Sequence, residues 1–178
     1  MSTTLNLSAR SSGSRSANAA LLVAHPGHEG LLYGWLKAQS PTVFVLTDGS
    51  GGSAVSRLGF SSTLMRSAGA KPGLIFGSKP DRAWYNAILS CDVAPFRAAA
   101  NSIASECIAT SIEELVCDPV EFYNPMHDLA NAMAHSVVSM IKARTGRRPK
   151  VYSYMIEQRR DGVAADQKIV LSTDVIQR

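Results

Sequence analysis

The chain has 178 residues, of which 46% are hydrophobic and 18% charged, a composition typical of one globular domain with a hydrophobic core. Its formal net charge is +4, and its main basic cluster, residues 142–150, contains no interleaved aromatic residues, so we expect no nucleic-acid partner. No apolar run approaches the ~20 residues of a membrane-spanning helix. The three cysteines match no metal-binding spacing and predict reduced thiols, as in a cytoplasmic protein.

Residues 1–18 are rich in Ser, Thr and Gly and contain two arginines but no acidic residue. They lack the continuous apolar segment of a secretory signal. We therefore predict a disordered N-terminal tail, with an organelle transit peptide as the alternative. No linker or internal repeat divides the remainder, so residues 19–178 are predicted to form a single α/β domain.

Strand and helix patterns alternate from residue 19 onward. The predicted strands are 19–24, 42–46, 74–76, 115–117 and 151–156. The predicted helices are 29–39, 61–69, 93–108 and a long helix over 124–146 that begins with Asn-Pro and ends at Gly. The first strand is apolar throughout, as a strand buried on both faces requires. This order predicts a Rossmann-like three-layer sandwich with a mostly parallel sheet.

Two histidines follow the first predicted strand directly, in the segment AHPGHE at residues 24–29. Ligands in open α/β sheets bind outside the carboxyl ends of the strands. The spacing of His25 and His28 allows both imidazoles to bind one metal ion, and imidazole is a good zinc ligand. The alternative is that both are solvated turn residues.

A third histidine, His127, falls in the first turn of the long helix, where the helix dipole disfavours a protonated imidazole. Metal binding requires that neutral form. His127 could instead be a surface residue of that turn. However, three of the four histidines lie at strand-to-helix junctions, so the sequence predicts a metal site built from His25, His28 and His127. The fourth, His135, is predicted to pack within the long helix.

Three short motifs resemble those of the LmbE/PIG-L family of zinc-dependent de-N-acetylases and related amide hydrolases. Residues 24–29 resemble that family's Ala-His-Pro-Asp-Asp-Glu signature, and residues 47–49 reproduce its Thr-Asp-Gly stretch after the second strand. Residues 124–127, Asn-Pro-Met-His, stand where the family has His-Pro-x-His. The resemblance spans roughly residues 19–140 in element order but is specific only at these motifs, as in a divergent branch.

The resemblance implies that His25 and His127 are zinc ligands and that His28 replaces a ligand aspartate. Three histidines with a fourth position open to water form the pattern of a catalytic zinc site. The implied substrate is a small N-acyl compound of the amino-sugar type, anionic or glycan-derived.

Two departures from the family pattern concern catalysis. The presumed general base of the family is replaced by Gly27, and the first histidine of the third motif by Asn124. Asn124 could still donate a hydrogen bond to an oxyanion, or serve only as a helix cap. We predict Asp48 or Asp128 as the replacement base, ahead of Glu121 and Glu29. All four also suit structural roles, and Glu121 could orient a ligand histidine instead.

The sequence therefore favours a metal-dependent hydrolase that deacylates an amide through metal-activated water. The alternative is a metal- or ligand-binding family member that has lost catalysis. A nucleotide-binding module would need a tighter glycine pattern than residues 49–52 offer. Because few residues follow the strand predicted at 151–156, we also expect an open, shallow pocket or one completed by a second subunit.

Overall fold

Six strands form one sheet in the computed structural model, which describes residues 18–156 and 169–172. The strands are β1 (Ala19–Val23), β2 (Thr42–Thr47), β3 (Lys71–Lys79), β4 (Glu114–Cys117), β5 (Lys150–Ile156) and β6 (Ile169–Ser172). Their order across the sheet is β3-β2-β1-β4-β5-β6. The first five are parallel, and β6 runs antiparallel to β5. This confirms the predicted α/β fold with a mostly parallel sheet.

Five α-helices cover the two faces of the sheet in the described part of the chain. They are α1 (Tyr33–Gln39), α2 (Leu58–Ala68), α3 (Asp81–Leu89), α4 (Ala94–Ala109) and α5 (Pro125–Thr145). The core falls into two buried clusters because side chains of each strand alternate between the faces. One cluster packs the sheet against α3, α4 and α5, and the other packs it against α1 and α2. These are the three layers of a Rossmann-like sandwich.

The structure corrects several predicted boundaries. The helix predicted at 29–39 begins as a 3-10 turn, His28–Leu32, before α1. The strand predicted at 74–76 is the longer β3, and α3 was not predicted. The predicted tail lies outside the described residues except for Asn18, whose carbonyl accepts hydrogen bonds from the backbone N–H groups of Glu113 and Glu114. No helix of the described residues is long and apolar enough to cross a membrane.

The order of the strands reverses beside β1, which fixes where a ligand can bind. From β1 the chain builds β2 and β3 on one side, then crosses over to place β4 on the other side. The crevice at the carboxyl ends of β1 and β4 lies at this topological switch point, where open α/β sheets bind ligands.

Trp84 connects the unpredicted helix α3 to this edge of the sheet. Its indole Nε1 donates a hydrogen bond to the carbonyl oxygen of Leu46 in β2 at 2.9 Å, and its ring packs on Phe96 with centroids 5.1 Å apart. The side chain is 1% exposed. Because Asp81 is the first residue of α3, this bond also fixes the position of that carboxylate.

We expect Trp84→Phe to lower the free energy of unfolding by about 1–3 kcal/mol, since it leaves the buried Leu46 carbonyl without its donor. Urea unfolding of the parent and the variant measures this difference. Trp35→Phe is the control for replacing a buried indole by a smaller ring, because Trp35, the other tryptophan, is also buried. Equal stability of Trp84→Phe and the parent would contradict the role given to this hydrogen bond.

Candidate metal centre

The three histidines predicted as ligands lie together at the switch point. The ring centroids of His25 and His28 are 5.6 Å apart, those of His25 and His127 are 5.2 Å apart, and those of His28 and His127 are 4.5 Å apart. Three imidazoles on one tetrahedral zinc, with Zn–N bonds of about 2.0–2.1 Å, would have centroids roughly 5 Å apart. The spacing of the rings therefore fits a shared metal ion.

Residues from β2 and α3 hold His25. Its Nδ1 lies 2.9 Å from Oδ1 of Asp81 and 3.0 Å from Oγ1 of Thr47. The other oxygen of Asp81 accepts a hydrogen bond from the backbone N–H of Gly51 at 3.0 Å. Both His25 and Asp81 are buried, so this pair is held on several sides.

Asp118, the residue that follows β4, holds His28. Nδ1 of His28 lies 3.0 Å from Oδ1 of Asp118. Oδ2 of the same carboxylate accepts a hydrogen bond from the backbone N–H of Ala24 at 2.7 Å, and the hydroxyl of Tyr154 donates to Oδ1. Asp118 is fully buried, so these donors replace the hydration that the carboxylate would have in water.

Glu121 holds His127, in the orienting role considered for it from the sequence. Its Oε2 lies 2.6 Å from Nδ1 of His127. On the other side of the ring, Nδ2 of Asn124 donates to Nε2 of His127 at 3.0 Å. This pair of contacts requires the tautomer that carries its proton on Nδ1.

Each imidazole thus directs Nδ1 at a separate carboxylate. A carboxylate accepts a proton from Nδ1–H and leaves Nε2 with a lone pair, which is the form that binds metal. Carboxylate–histidine pairs of this kind are typical of zinc sites because they fix the tautomer and the orientation of the ligand ring.

Burial and charge act differently on His25 and His28. Burial lowers the pKa of His25, aided by the positive charges that His28 and His127 would carry, and Asp81 opposes this only in part. Burial also acts to lower the pKa of His28, but the hydrogen bond to Asp118 and the negative charges of Asp118, Glu29 and Glu121 together outweigh burial, so the pKa is raised. The neutral form needed for metal binding is therefore easier to reach at His25 than at His28.

The side chains are not already arranged around a metal position. Among the described residues, no group of three or more His, Cys, Asp or Glu side chains is placed to hold a metal ion as it stands. One reason is visible at His127, whose Nε2 accepts the hydrogen bond from Asn124. Metal binding would require this bond to break, whereas the spacing of the rings already suits a shared ion.

The two carboxylates predicted as replacement bases have structural partners. Oδ1 of Asp48 accepts hydrogen bonds from the backbone N–H groups of Ser50 and Asp81. Although burial opposes them, these bonds lower the pKa of Asp48 and make it a weaker base. Oδ1 of Asp128 accepts from the backbone N–H groups of Glu121 and Phe122. Both carboxylates therefore stabilise the backbone of a loop. Within the described residues, no hydrogen bond or ion pair joins Asp48 or Asp128 to the three histidines.

Asn124 combines the two roles that the sequence left as alternatives. Its Oδ1 caps α5 by accepting from the backbone N–H of Met126 at 3.0 Å and also accepts from the hydroxyl of Tyr85 at 3.2 Å. Its Nδ2 faces His127. Because Asn124 caps the helix through Oδ1 and donates through Nδ2, its role as a cap leaves the amide donor available beside His127.

Gly27 and Glu29 complete the first motif. The backbone of Gly27 has φ of 107°, a conformation that favours glycine. The fully buried Glu29 accepts the Gly27 N–H through Oε2 at 2.9 Å, and its Oε1 has no hydrogen-bond partner among the described residues. An aspartate at position 27 would thus meet backbone strain, although the space for its Cβ is open.

Sequence reasoning missed three residues of this centre: Asp81, Asp118 and Tyr154. Asp118 could have been found from its position directly after a buried strand, just as His25 directly follows the strand predicted at 19–24. Asp81 was hidden because α3 was not predicted, and nothing in the apolar pattern of β5 marks the hydroxyl of Tyr154.

Comparison with known proteins adds no relative to this description. No protein-family model and no curated protein sequence matches the chain. The likeness to the LmbE/PIG-L family therefore remains a resemblance of three short motifs.

Proposed function

We propose that the protein is a zinc-dependent hydrolase that removes the acyl group from a small N-acyl substrate of the amino-sugar type. The observation that carries this proposal is the convergence of His25, His28 and His127, each with Nδ1 on its own carboxylate. A site evolved only for packing would have no need of three such pairs. The resemblance to the de-N-acetylase motifs supplies the reaction class and the substrate class.

The donor set fits zinc, since three neutral imidazoles leave a fourth position open. When bound there, zinc lowers the pKa of its water to about 7 and polarises a carbonyl oxygen. The chain's own contribution is to orient the ligands and to bind the substrate. Nδ2 of Asn124, held by the two hydrogen bonds on Oδ1, is the donor placed to bind the oxygen of the scissile carbonyl.

General-base assistance from this chain is weaker than in the family that it resembles. Gly27 has no side chain to accept a proton, and Asp48 and Asp128 are both engaged with backbone N–H groups. General-base catalysis contributes about 10²–10⁴-fold to rate. We therefore propose a slow enzyme rather than one whose base has moved to either aspartate.

A second candidate function is metal or ligand binding without catalysis. The observation that favours it is the same engagement of Asp48 and Asp128, together with glycine at position 27. Both candidates place the protein in the cytoplasm with a small anionic or glycan-derived ligand.

The parent protein should retain one zinc ion per chain after dialysis, whereas His25→Ala, His28→Ala and His127→Ala should each lose it. Elemental analysis of the purified proteins measures the metal content. His135→Ala is the matched control because His135 is the fourth histidine and lies in the middle of α5. Zinc retained by all four variants would show that the ion binds elsewhere, and zinc absent from the parent would reject the metal centre.

Asn124→Asp should keep the cap of α5 and remove the amide donor, since aspartate is as good a helix cap as asparagine. We expect deacetylation of an N-acetylated amino sugar to fall about 10²–10³-fold, the usual cost of a lost oxyanion donor. Asp48→Asn and Asp128→Asn should retain turnover. The release of acetate from saturating substrate measures all three.

If the zinc-loaded parent releases no acetyl group from a panel of N-acetylated amino sugars, the hydrolase is rejected in favour of a binding protein. If Asp48→Asn or Asp128→Asn loses turnover while it retains zinc, that aspartate is the general base. Our proposal of a slow enzyme without a relocated base then fails.

A further inference from the structure

The side chain of Asp118 accepts three hydrogen bonds, all within the centre. Its two oxygens accept from Nδ1 of His28, the backbone N–H of Ala24 and the hydroxyl of Tyr154. Its backbone carbonyl accepts from Nδ2 of Asn131 at 2.9 Å. These partners come from the loop after β1, from β5 and from α5, so the carboxylate is fixed relative to three elements.

This network has a specific bearing on His28. A carboxylate ligand needs no choice of tautomer, but a histidine binds metal through Nε2 only when its proton is on Nδ1. His28 is also the least buried of the three rings, with a side chain that is 23% exposed. It therefore depends on a hydrogen-bond acceptor at Nδ1 to hold both its tautomer and its orientation.

We propose that Asp118 and Tyr154 are positioning residues that fix His28 as the Nδ1–H tautomer and aim its Nε2 at the other two imidazoles. The consequence for zinc affinity rests on the proposed function, whereas the tautomer itself does not. Asp118 acts directly on the ring, and Tyr154 acts through Asp118. Burial raises the pKa of Tyr154, so its hydroxyl remains a donor to the carboxylate.

Asp118→Asn tests the tautomer because the amide cannot satisfy all of its neighbours. The buried N–H of Ala24 requires an acceptor, so the amide oxygen takes the place of Oδ2. The amide nitrogen then faces Nδ1 of His28 as a donor. His28 can accept that hydrogen bond only if its proton moves to Nε2, which removes the lone pair needed for a metal.

Long-range proton–nitrogen NMR spectra of isotope-labelled histidine rings report the tautomer without any metal. At a pH where His28 is neutral, we expect Nδ1–H in the parent and Nε2–H in Asp118→Asn. The zinc Kd, measured by chelator competition, should rise by about 10–100-fold. Asp92→Asn is the matched control because, in the part of the chain that the structure describes, its carboxylate accepts the backbone N–H of Ala94 at the start of α4 and contacts none of the three histidines, and it should change neither quantity.

Tyr154→Phe tests the indirect role. We expect His28 to keep its tautomer and the zinc Kd to rise less than in Asp118→Asn, because the carboxylate remains but loses one of its fixed donors. Tyr152→Phe, at another buried tyrosine of β5, controls for the loss of a hydroxyl from this strand. If Tyr154→Phe and Tyr152→Phe have equal zinc Kd values, Tyr154 is not a positioning residue.

Asp118→Asn that folds and keeps both the Nδ1–H tautomer and the parent's zinc Kd would overturn the inference. If the parent binds no zinc, the proposed function fails, but a change of tautomer in Asp118→Asn still supports the positioning role. A His28 tautomer unchanged by Asp118→Asn in a zinc-binding protein contradicts the positioning role and leaves the metal centre intact. The two failures are therefore distinguishable.

Discussion

The parallel pairing of β1 with β4 is the constraint on which the proposed metal centre depends. Leu22 of β1 lies opposite Cys117 of β4, so the carboxyl ends of the two strands lie side by side. The first residues after the two strands are Ala24 and Asp118, which are joined by a buried hydrogen bond of 2.7 Å. This contact holds the segment that follows β1 against the segment that follows β4. Nδ1 of His28 therefore lies 3.0 Å from Oδ1 of Asp118, and the ring of His127, in the first turn of α5, lies 4.5 Å from that of His28.

The electrostatics of the centre follow from that arrangement. Taking a carboxylate out of water is costly unless donors replace its hydration, and the two buried carboxylates behind the histidines, Asp81 and Asp118, have such donors. Asp81 has the Gly51 N–H as well as His25. Asp118 has Ala24 and Tyr154 as well as His28. The fold holds these two carboxylates, and they in turn orient the imidazoles of His25 and His28.

The fold and the three histidines could be predicted from the sequence because both leave local patterns. Buried parallel strands are apolar throughout, and a histidine directly after such a strand must lie at the carboxyl edge of the sheet. The partners of the histidines leave no such pattern. Asp81 depends on α3, a short helix that no prediction identified, and Tyr154 depends on the register between β4 and β5. For Asp48 and Asp128 the sequence shows a carboxylate at the right edge but cannot show that backbone N–H groups donate to one of its oxygens.

We propose that three imidazoles of this chain share one zinc ion through Nε2. X-ray absorption spectroscopy of the zinc-loaded protein tests this directly, because it reports the type and distance of the atoms bound to the metal. We expect four light-atom ligands, with multiple-scattering features of three imidazoles at about 2.0–2.1 Å. A spectrum with sulfur at about 2.3 Å would place the ion at the cysteines instead, and one without imidazole scattering would contradict the metal centre.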